Sequence, residues 1–401
     1  MCIKLSKYQQ SRSSEDRYDM PKDRYDTEKE KQVTFIVTKD CQLACKYCYL
    51  VGKNSNETMS FEVAKKAVDY ILSEKVKDDS VVWDFMGGEP FIEIDMIDKI
   101  CDYIKEELFR LNHPWLNSYM FNITTNGINY HQKKVQEFIA KNHCHLNISI
   151  TIDGTASKHN LNRVYRGNGR GSYEDVVKNI PLWIEQFPNV GTKVTVSSED
   201  IPFVKESVLH LYSLGIKTVS INCVFEDVWK DGDDALLEDQ LIALADEIIE
   251  NRYYEDYQCS FFNENIGGPL DCKLDNQNWC GAGKMLAVDT KGLFYPCARF
   301  AKYSLRNKAP RIIGDVDNGI DKNKLRPFLS LQRSAQSKQE CIDCPVACGC
   351  GWCQAENYDA ADTDTIYQRS TAICKMHKAR VHANNYYWNR LYRKLNTETK
   401  L

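Results

Sequence analysis

The chain has 401 residues, a formal net charge of −4 and a sequence pI near 6.1. A chain with this balance has no global attraction for nucleic acid or for acidic lipid. Residues 1–31 lack the apolar core of a signal peptide, and no later run approaches the ~20 apolar residues of a membrane span. We therefore expect a cytoplasmic protein with no nucleic-acid partner and no membrane partner.

The first part of the chain alternates between strand and helix patterns. Residues 1–31 are charged and poor in branched apolar residues, which predicts a loosely docked arm. Six β-branched runs follow: VTFIVT (33–38), VVWDF (81–85), YMFNITT (119–125), HLNISIT (145–151), TKVTVSS (192–198) and IKTVSIN (216–222). Apolar residues at helical spacing lie between or after these runs, over 64–71, 97–108, 176–187 and 237–248.

Strands that alternate with helices indicate a parallel sheet. Six such units predict an α/β fold in which residues 32–254 form a partial (β/α)6 TIM-type barrel. Functional sites in sheets of this type lie at the carboxyl ends of the strands.

The composition changes from residue 255 onward, where cysteine, glycine and turn residues replace the long periodic segments. This predicts a small second domain over 255–375 that is held by ligands more than by an apolar core. The last segment, 376–401, has apolar residues such as Val381 and Leu391 on one helical face, which predicts a terminal helix docked on the body.

Cysteine usage indicates metal chemistry. The chain contains 17 cysteines, and in a reducing cytosol such a count favours metal-binding or catalytic thiolates over disulfides. The stretch CQLACKYCYL places Cys41, Cys45 and Cys48 at C-x3-C-x2-C just after the first predicted strand. Three thiols on one loop cannot complete a tetrahedral zinc site alone, and no histidine lies between residues 33 and 110. They do suit a 4Fe-4S cluster with one iron left open.

With Tyr47 before the last cysteine, this loop resembles the signature of radical S-adenosylmethionine (SAM) enzymes. The resemblance implies that the cluster on the loop binds SAM through its open iron. The alternative is a zinc or packing cluster completed from elsewhere in the chain.

Two segments after the loop match the same superfamily in order. MGGEP (86–90) follows the second predicted strand directly. The resemblance implies that this segment meets the methionyl amino group of SAM. Gly87 and Gly88 would let the backbone approach the ligand closely, and Glu89 would supply a carboxylate for the ammonium group. TTNG (124–127) ends the next strand.

The segment SITIDG (149–154) and the residues that follow it are implied to complete the cofactor site. In related enzymes this region supplies a polar contact to the ribose, for which Ser149 and Thr151 are both candidates. It also supplies an arginine to the cofactor carboxylate, and the guanidinium fork of Arg163 suits that role.

The C-terminal cysteines carry a second resemblance. Cys280, Gly292 and Cys297 form C-x11-G-x4-C, and a C-x2-C pair begins at Cys341. This pattern resembles the SPASM domain, which holds two auxiliary 4Fe-4S clusters in peptide- and protein-modifying radical SAM enzymes. The resemblance implies a first auxiliary set: Cys272, Cys280, Cys297 and Cys353. It implies a second auxiliary set: Cys341, Cys344, Cys350 and Cys374.

The match to the SPASM pattern departs at two places. CGCGWC leaves only two residues between Cys350 and Cys353 where the family has three, so Cys348 is an alternative to Cys350 as a ligand. Cys272 also lies further upstream of Cys280 than usual. An alternative is therefore that one iron of the first auxiliary cluster has no protein ligand and could bind a substrate thiol. A structural zinc cluster is the alternative for this region, because C-x2-C is also a zinc spacing.

The two resemblances together imply a radical SAM oxidoreductase with SAM and three 4Fe-4S clusters. One electron would cleave SAM, and the resulting radical would take hydrogen from a ribosomally made precursor peptide. A cysteine thioether crosslink fits the auxiliary clusters, which could accept the surplus electron, and the motifs resemble thioether-forming maturases of the ranthipeptide and sactipeptide type. The alternatives are a carbon-carbon crosslink, formylglycine-type maturation, or a non-enzymatic metal-binding partner protein.

The implied partners are a cysteine-containing precursor peptide and an external electron donor of the flavodoxin or ferredoxin type. The segment before the first strand is too short for the winged-helix peptide-recognition domain of some such maturases. We therefore expect the leader peptide to bind a separate protein, the charged arm, or neither. The sequence identifies no catalytic acid or base; Asp153, His159 and Trp352 are candidates by location only.

Overall fold

A computed structural model describes residues 30–53, 55–269 and 280–398 of the chain. Nearly all of the predicted arm, residues 1–31, and the predicted ligand Cys272 lie outside the described residues. The strands are β1 (Glu30–Thr38), β2 (Ser80–Gly87), β3 (Tyr119–Thr125), β4 (Leu146–Ile150), β5 (Thr192–Val196), β6 (Thr218–Cys223), β7 (Gln258–Cys259), β8 (Leu286–Val288), β9 (Leu293–Tyr295), β10 (Gly314–Asp315) and β11 (Gly319–Ile320).

The α-helices are α1 (Phe61–Ser73), α2 (Ile94–Arg110), α3 (Lys133–Asn142), α4 (Ala156–Asn162), α5 (Tyr173–Val177), α6 (Ile180–Gln186), α7 (Val204–Ser213), α8 (Asp233–Glu250), α9 (Lys322–Leu329), α10 (Arg333–Gln336), α11 (Gln339–Ile342), α12 (Gln354–Asp359) and α13 (Cys374–Glu398). Short 3-10 helices cover Pro90–Glu93, Pro114–Asn117, His143–His145, Ser198–Phe203, Tyr253–Glu255, Ala298–Phe300 and Lys302–Ser304.

The predicted α/β fold is confirmed, because all six predicted strands form and pair in parallel. β1, β2, β3 and β4 are successive neighbours in one sheet, and β5, β6 and β7 form a second. β7 is a short seventh strand that the sequence patterns did not indicate. It pairs with β6 although it lies beyond residue 254, within the segment predicted to begin the second domain.

Side chains bridge the two sheets at the gap between β4 and β5. Ser149 Oγ donates to the carbonyl of Gly191 over 2.7 Å. Thr192 Oγ1 donates to the carbonyl of Ile150 over 2.7 Å and accepts from the amide of Ile152 over 3.1 Å. These side-chain bonds satisfy backbone N–H and C=O groups that hydrogen bonds between paired strands would otherwise satisfy.

The barrel sheet has one apolar face and one polar face, because successive side chains in a strand point to opposite sides. Val33, Trp83 and Phe121 lie in register on the apolar face and are fully buried in the core. One residue further along, Thr34, Asp84 and Asn122 are in register on the polar face. Asn122 Nδ2 donates to Asp84 Oδ1 over 2.5 Å, and burial raises the pKa of Asp84.

The helix predicted over 176–187 is wrong as a single element. The structure has two helices there, α5 and α6, with a turn at residues 178–179 between them. Pro181 lies in the first turn of α6 and has no N–H to donate to the carbonyl of Val177, so a continuous helix would lose that bond.

The C-terminal region extends the barrel sheet. β8 pairs in parallel with β1, and β9, β10 and β11 continue from β8 as antiparallel neighbours, which makes one sheet of eight strands. The helices of this region are short, from four residues in α10 and α11 to eight in α9. The pairing of β8 with β1 therefore brings the C-terminal region directly beside the strand that precedes the first cysteine loop.

The terminal helix α13 packs against α8. Tyr386 and Arg390 both bind Asp246, the tyrosine hydroxyl over 2.8 Å. Buried Asn384 of α13 exchanges two hydrogen bonds with the backbone of Asn263, at 2.8 and 2.9 Å. Within the described residues, none of the helices has both the length and the apolar character needed to span a membrane.

Candidate active site

The loop that carries Cys41, Cys45 and Cys48 is anchored on both sides by backbone hydrogen bonds. On one side, the amide of Ala44 donates to the carbonyl of Val164 over 2.8 Å, and the amide of Lys46 donates to that of Asn162 over 3.1 Å. On the other, the amide of Glu89 donates to the carbonyl of Asp40 over 2.8 Å. The three segments that the sequence indicated separately therefore meet at the carboxyl end of the sheet.

Gly87 and Gly88 are needed for this convergence. A Cβ atom on Gly87 would lie 2.2 Å from the carbonyl oxygen of Thr38, and one on Gly88 would lie 2.1 Å from that of Asp40. Real Cβ atoms essentially never approach an oxygen this closely, so only glycine lets MGGEP lie against the start of the cysteine loop.

Glu89 is buried and held in a fixed orientation. Its Oε1 accepts from the hydroxyl of Thr125 over 2.6 Å and from the amide of Phe91 over 3.0 Å, while Oε2 accepts from the amide of Asn126 over 2.7 Å. Burial raises the pKa of Glu89, although these donors and Arg163 oppose the shift. Thr125 and Asn126 belong to the TTNG segment, whose function is thus to position this carboxylate.

Arg163 points into the same region with unused donors. Its Nη1 donates to the hydroxyl of Tyr47 over 3.0 Å, and that hydroxyl in turn donates to Asp153. Arg163 is only 6% exposed, yet its Nε has no hydrogen-bond partner among the described residues. A buried guanidinium with an unsatisfied N–H suits an anionic ligand group, such as a carboxylate.

A buried ion network lies beneath Arg163. Lys158 is fully buried, and its Nζ lies 3.6 Å from Asp153 Oδ2 and 3.3 Å from Asp200 Oδ1. Burial alone would raise the pKa of Asp153, but the charges of Lys158 and Arg163 outweigh it and hold that pKa below its usual value. The network therefore keeps Asp153 ionised and holds Tyr47 and Arg163 in place.

Two of the candidates for acid or base catalysis belong to this supporting network. His159 is fully buried, with Nε2 3.0 Å from Ser172 Oγ and Nδ1 accepting from the amide of Asp153 over 3.3 Å. Burial, aided by Arg163, lowers the pKa of His159 to about 3. His159 is therefore neutral at physiological pH, and both it and Asp153 have protein partners.

Ser149 and Thr151 lie on the same half-buried side of β4 and its continuation, because they are two residues apart. The hydroxyl hydrogen of Ser149 is used in the bond to Gly191, so this hydroxyl can only accept from a ligand. Thr151 donates its amide to the carbonyl of Thr125 over 2.9 Å, which ties it to the segment that holds Glu89.

The thiols of the N-terminal loop crowd one another. Burial, and next Glu89, raise the pKa of Cys41 to about 12, and Cys45 contributes in the same direction. Burial also raises the pKa of Cys45, with Cys48 adding to the effect. Crowded, buried thiolates are stabilised by a bound metal cluster, which neutralises their charge. The donor set therefore fits the implied 4Fe-4S cluster.

The described members of the first auxiliary set also lie together. Burial, followed by Cys353 and Cys297, raises the pKa of Cys280. Burial, followed by Cys353, raises the pKa of Cys297 to about 12. The structure thus brings together three of the four predicted ligands, and Cys272 lies outside the described residues.

The second auxiliary set groups around Cys350 rather than Cys348. Burial raises the pKa of Cys350, and Cys374 and Cys341 add to the effect. Cys344 and Cys374 likewise contribute to the raised pKa of Cys341. Cys348 instead donates its thiol to the carbonyl of Asn265 over 3.2 Å.

The fifteen cysteines of the described residues are free thiols. In the same part of the chain, no three cysteine, histidine, aspartate or glutamate side chains converge on one point as ligands of a single metal ion would. A 4Fe-4S cluster makes a different demand, because each thiolate binds its own iron.

A link between the N-terminal loop and the first auxiliary set was not foreseen from the sequence. Tyr49 follows Cys48, and the guanidinium of Arg299 lies 4.8 Å from the centre of its ring. Arg299 Nη1 also lies 3.6 Å from Cys353 Sγ, while Nη2 pairs with Glu226 over 2.5 Å. The only sequence signal was adjacency, because Tyr49 and Arg299 each lie within two residues of a predicted ligand.

Trp352, the third residue considered by location, lies away from the barrel site. It is 9% exposed and donates its Nε1 hydrogen to Gln336. Its ring lies between two guanidinium groups, with that of Arg333 5.4 Å and that of Arg369 5.9 Å from its centre. It therefore belongs to the surroundings of the second auxiliary set.

Comparison with known proteins agrees with this geometry. Residues 35–200, from β1 to the segment after β5, match the Radical SAM superfamily. This segment is a radical SAM domain. It contains the N-terminal cysteine loop, MGGEP, the Glu89 contacts and Arg163, so the matched segment and the convergent site coincide.

Two curated relatives align with more of the chain. An uncharacterised protein of Methanocaldococcus jannaschii is 31% identical over 195 residues, which is 48% of this chain and 62% of that protein. The antilisterial bacteriocin subtilosin biosynthesis protein AlbA of Bacillus subtilis is 24% identical over 327 residues, which is 80% of this chain and 66% of that protein. The chain thus spans less than two thirds of either relative.

Solved structures share the fold beyond the radical SAM domain. The anSMEcpe enzyme with bound AdoMet and a Kp18Cys peptide superposes with a TM-score of 0.67 at 18% identity, covering 92% of this chain and 99% of that one. Streptococcus suis SuiB bound to precursor peptide SuiA gives 0.56 at 16% identity, covering 86% and 76%. These likenesses extend through the C-terminal cysteine region, where the sequence resembles a SPASM domain.

Proposed function

We propose that this protein is a radical SAM peptide maturase that forms a cysteine thioether crosslink in a ribosomally made precursor peptide. The observation that carries the proposal is the link through Tyr49 and Arg299, which joins the N-terminal cysteine loop to Cys353. This link supports a second, redox-capable cysteine set close to the radical SAM site. A bacteriocin biosynthesis protein among the relatives, and peptide-bound structures among those that share the fold, support a peptide substrate.

Cys41, Cys45 and Cys48 would hold a 4Fe-4S cluster whose open iron binds SAM. When bound and reduced by an external one-electron donor, the cluster would supply the electron that cleaves SAM to methionine and a radical able to take hydrogen from carbon. The two auxiliary sets would hold two further clusters, with Cys350 rather than Cys348 as the ligand in the second.

The residues of the chain bind and orient the cofactor. Arg163 would donate to its carboxylate, and Glu89 would accept from its ammonium group. Tyr47 fixes Arg163 in position, and Thr125 and Asn126 do the same for Glu89. Ser149 or Thr151 contacts the ribose from the polar side of β4.

Among the candidate products, a thioether best accounts for the C-terminal cysteines as ligands of an electron acceptor. When a peptide thiolate joins a carbon radical, the product carries one electron more than a closed-shell thioether. Cys280, Cys297 and Cys353 lie where they can hold a group that takes this electron. The electron then leaves the protein through a one-electron partner of the flavodoxin or ferredoxin type.

The first test is the metal content and cofactor cleavage of anaerobically prepared protein. We expect about twelve irons per chain, as three 4Fe-4S clusters require, and 5'-deoxyadenosine formation with a strong reductant. The matched control changes Cys41, Cys45 and Cys48 to alanine, which should remove about four irons and all cleavage. Stoichiometric zinc with no cleavage would refute the proposal.

The second test identifies the modification on a cysteine-containing precursor peptide. A thioether removes two hydrogens from the peptide and protects one thiol from alkylation. A carbon-carbon crosslink removes two hydrogens but leaves the thiol open to alkylation, and formylglycine formation from cysteine removes sulfur. Mass spectrometry with and without alkylation therefore distinguishes the three products.

A further inference from the structure

The two auxiliary sets differ in the charges around them. Each has one arginine against a cysteine sulfur: Arg299 lies 3.6 Å from Cys353 in the first set, and Arg369 lies 3.2 Å from Cys350 in the second. Because hydrogen bonds to sulfur and local charge both tune a cluster's potential, the two arginines are candidates for setting the potentials of the two clusters.

Carboxylates offset the charge of Arg299. Its Nη2 lies 2.5 Å from Glu226 and 3.6 Å from Glu356, and Glu226 is itself buried. Arg306 also approaches Glu226, at 3.6 Å. The group beside Cys353 therefore contains two arginines and two glutamates, and its formal charges cancel.

The charge of Arg369 is not offset in this way. The guanidinium donates to the hydroxyl of Ser337 over 3.3 Å and to Cys350, and the residue is 8% exposed. Within the described part of the chain, no carboxylate lies at ion-pair distance from it. Glu340, which acts on Cys341, is exposed, so solvent screens its charge.

Two further observations indicate a positive environment at the second set. Arg333 is 2% exposed, and its guanidinium lies 5.4 Å from the centre of the Trp352 ring, against 5.9 Å for that of Arg369. Burial lowers the pKa of nearby His377 to about 4, and Arg380, Arg369 and Arg333 add to that shift.

We propose that Arg369 gives the second auxiliary cluster a higher reduction potential than the first, so that electrons pass from the first set to the second. This inference rests on the proposed function, because it requires both clusters. A cluster gains one negative charge on reduction, and a buried, unpaired cation beside its sulfur stabilises the reduced form. The neutral group around Arg299 gives the first cluster no comparable advantage.

The electron balance is one for one. The reduced first cluster loses the electron that thioether formation released and returns to its oxidised form. The oxidised second cluster gains that electron and passes it to the flavodoxin or ferredoxin type partner. Arg369 thus acts on the reaction through the cluster, because it donates to the sulfur of a predicted cluster ligand and does not contact the substrate.

The test is a redox titration followed by electron paramagnetic resonance, without peptide. Alanine variants of Cys280 and Cys344 assign the two auxiliary signals. We expect the second cluster to be reduced first in the unmodified protein. Arg369→Gln should lower the reduction equilibrium constant of the second cluster at least about tenfold, which is about 59 mV for one electron. Arg369→Lys keeps the positive charge and should retain most of the potential of the unmodified protein.

Two controls keep the test decisive if Arg369→Gln fails to assemble. Glu226→Gln removes a negative charge that pairs with Arg299 and should therefore raise the reduction potential of the first cluster. The difference in potential between the two clusters should then become smaller. Arg326→Gln removes the same charge from an exposed site and should move neither signal. Equal or reversed potentials in the unmodified protein, or no response to Arg369→Gln and Glu226→Gln, would overturn the inference. Missing clusters would instead refute the proposed function.

Discussion

The N-terminal cysteine loop and the C-terminal cysteine region hold their thiols by different means. The loop lies at the end of a nine-residue strand and is bonded to segments on both sides, at Val164 and Glu89. Most of the C-terminal cysteines lie among strands of two or three residues and helices of four to eight, and Cys374 begins the long terminal helix α13. We therefore expect the first site to form before any metal binds, and the second site to depend more on its ligands for stability.

The two regions also differ in charge. Around Arg163, the cations and carboxylates are buried together, and the positive charges of Lys158 and Arg163 offset the negative charges of Asp153 and Asp200. Around Cys350, the buried charges are arginines. A network of balanced charges holds its side chains in fixed positions for a ligand that carries both signs of charge, such as an amino acid group. Unbalanced positive charge instead favours the gain of an electron by a nearby cluster.

The largest effect is expected from removing the metal. Chelation should abolish cofactor cleavage, and protease should cleave residues 255–375 at least about tenfold faster than residues 32–254, because we expect only residues 255–375 to depend on ligands for their folded structure. Time-resolved proteolysis with mass mapping measures this, and the cluster-loaded protein is the control. Faster cleavage of the barrel would contradict the comparison.

The next effect is expected at the buried lysine. Lys158→Met leaves Asp153 and Asp200 buried without their cation, which should cost about 3–5 kcal/mol of unfolding free energy. The matched control is Lys178→Met, which removes an exposed ion pair with Asp175 and should cost under ~1 kcal/mol. Urea unfolding followed by tryptophan fluorescence compares the two, and equal losses would show that the network is not needed.

A smaller effect is expected on cofactor affinity. Arg163→Gln should weaken SAM binding by about 10- to 100-fold, because a charge-assisted bond to the carboxylate is lost. Arg170→Gln, which removes the exposed pair with Asp175 and the contact of the guanidinium with the Tyr165 ring, is the control and should bind normally. Equilibrium dialysis of cluster-loaded protein measures both, and unchanged affinity in Arg163→Gln would remove Arg163 from the cofactor site.

The smallest effect is a pH dependence that arises from His159. Its pKa is about 3 in the folded chain, and unfolded histidine titrates near ~6.5, so its contribution to stability is complete above pH ~6.5 and falls as the pH drops. The loss should be about 1.4 kcal/mol per pH unit below that point.

His159→Gln should remove this slope between about pH 6.5 and about pH 5.5. Asp153 does not interfere, because its lowered pKa places its own loss of stability below pH ~4. Urea midpoints at the two pH values measure the difference between the variant and the unmodified chain. A slope that persists in the variant would assign the pH dependence to another group.

Local sequence was sufficient for the strands and the cofactor motifs. The six predicted strands form because β-branched apolar runs favour a buried, pleated environment wherever they lie. Cys41, Cys45 and Cys48 are close in sequence, so their spacing alone indicated a shared site. The division of the predicted helix at 176–187 was also encoded locally, because Pro181 cannot donate the bond that a continuous helix requires.

Tertiary structure decided the contacts between distant segments. β8 joins the barrel sheet beside β1 although more than two hundred residues separate them, and three residues give too weak a pattern to indicate that pairing. The contacts of Arg299 with Tyr49 and of Arg369 with Cys350 depend on that arrangement and on the packing of the C-terminal helices.

The sequence by itself determined a radical SAM domain and an α/β fold, and it predicted three groups of cysteines as cluster ligands. These properties depend on residue type and short spacing, which the linear chain displays directly. The tertiary structure alone decided that Cys350 groups with the second auxiliary set and that Lys158 supports Arg163. It also decided that the two auxiliary sets differ in charge. Burial and charge balance are properties of neighbours in space, and the chain brings those neighbours together only when it folds.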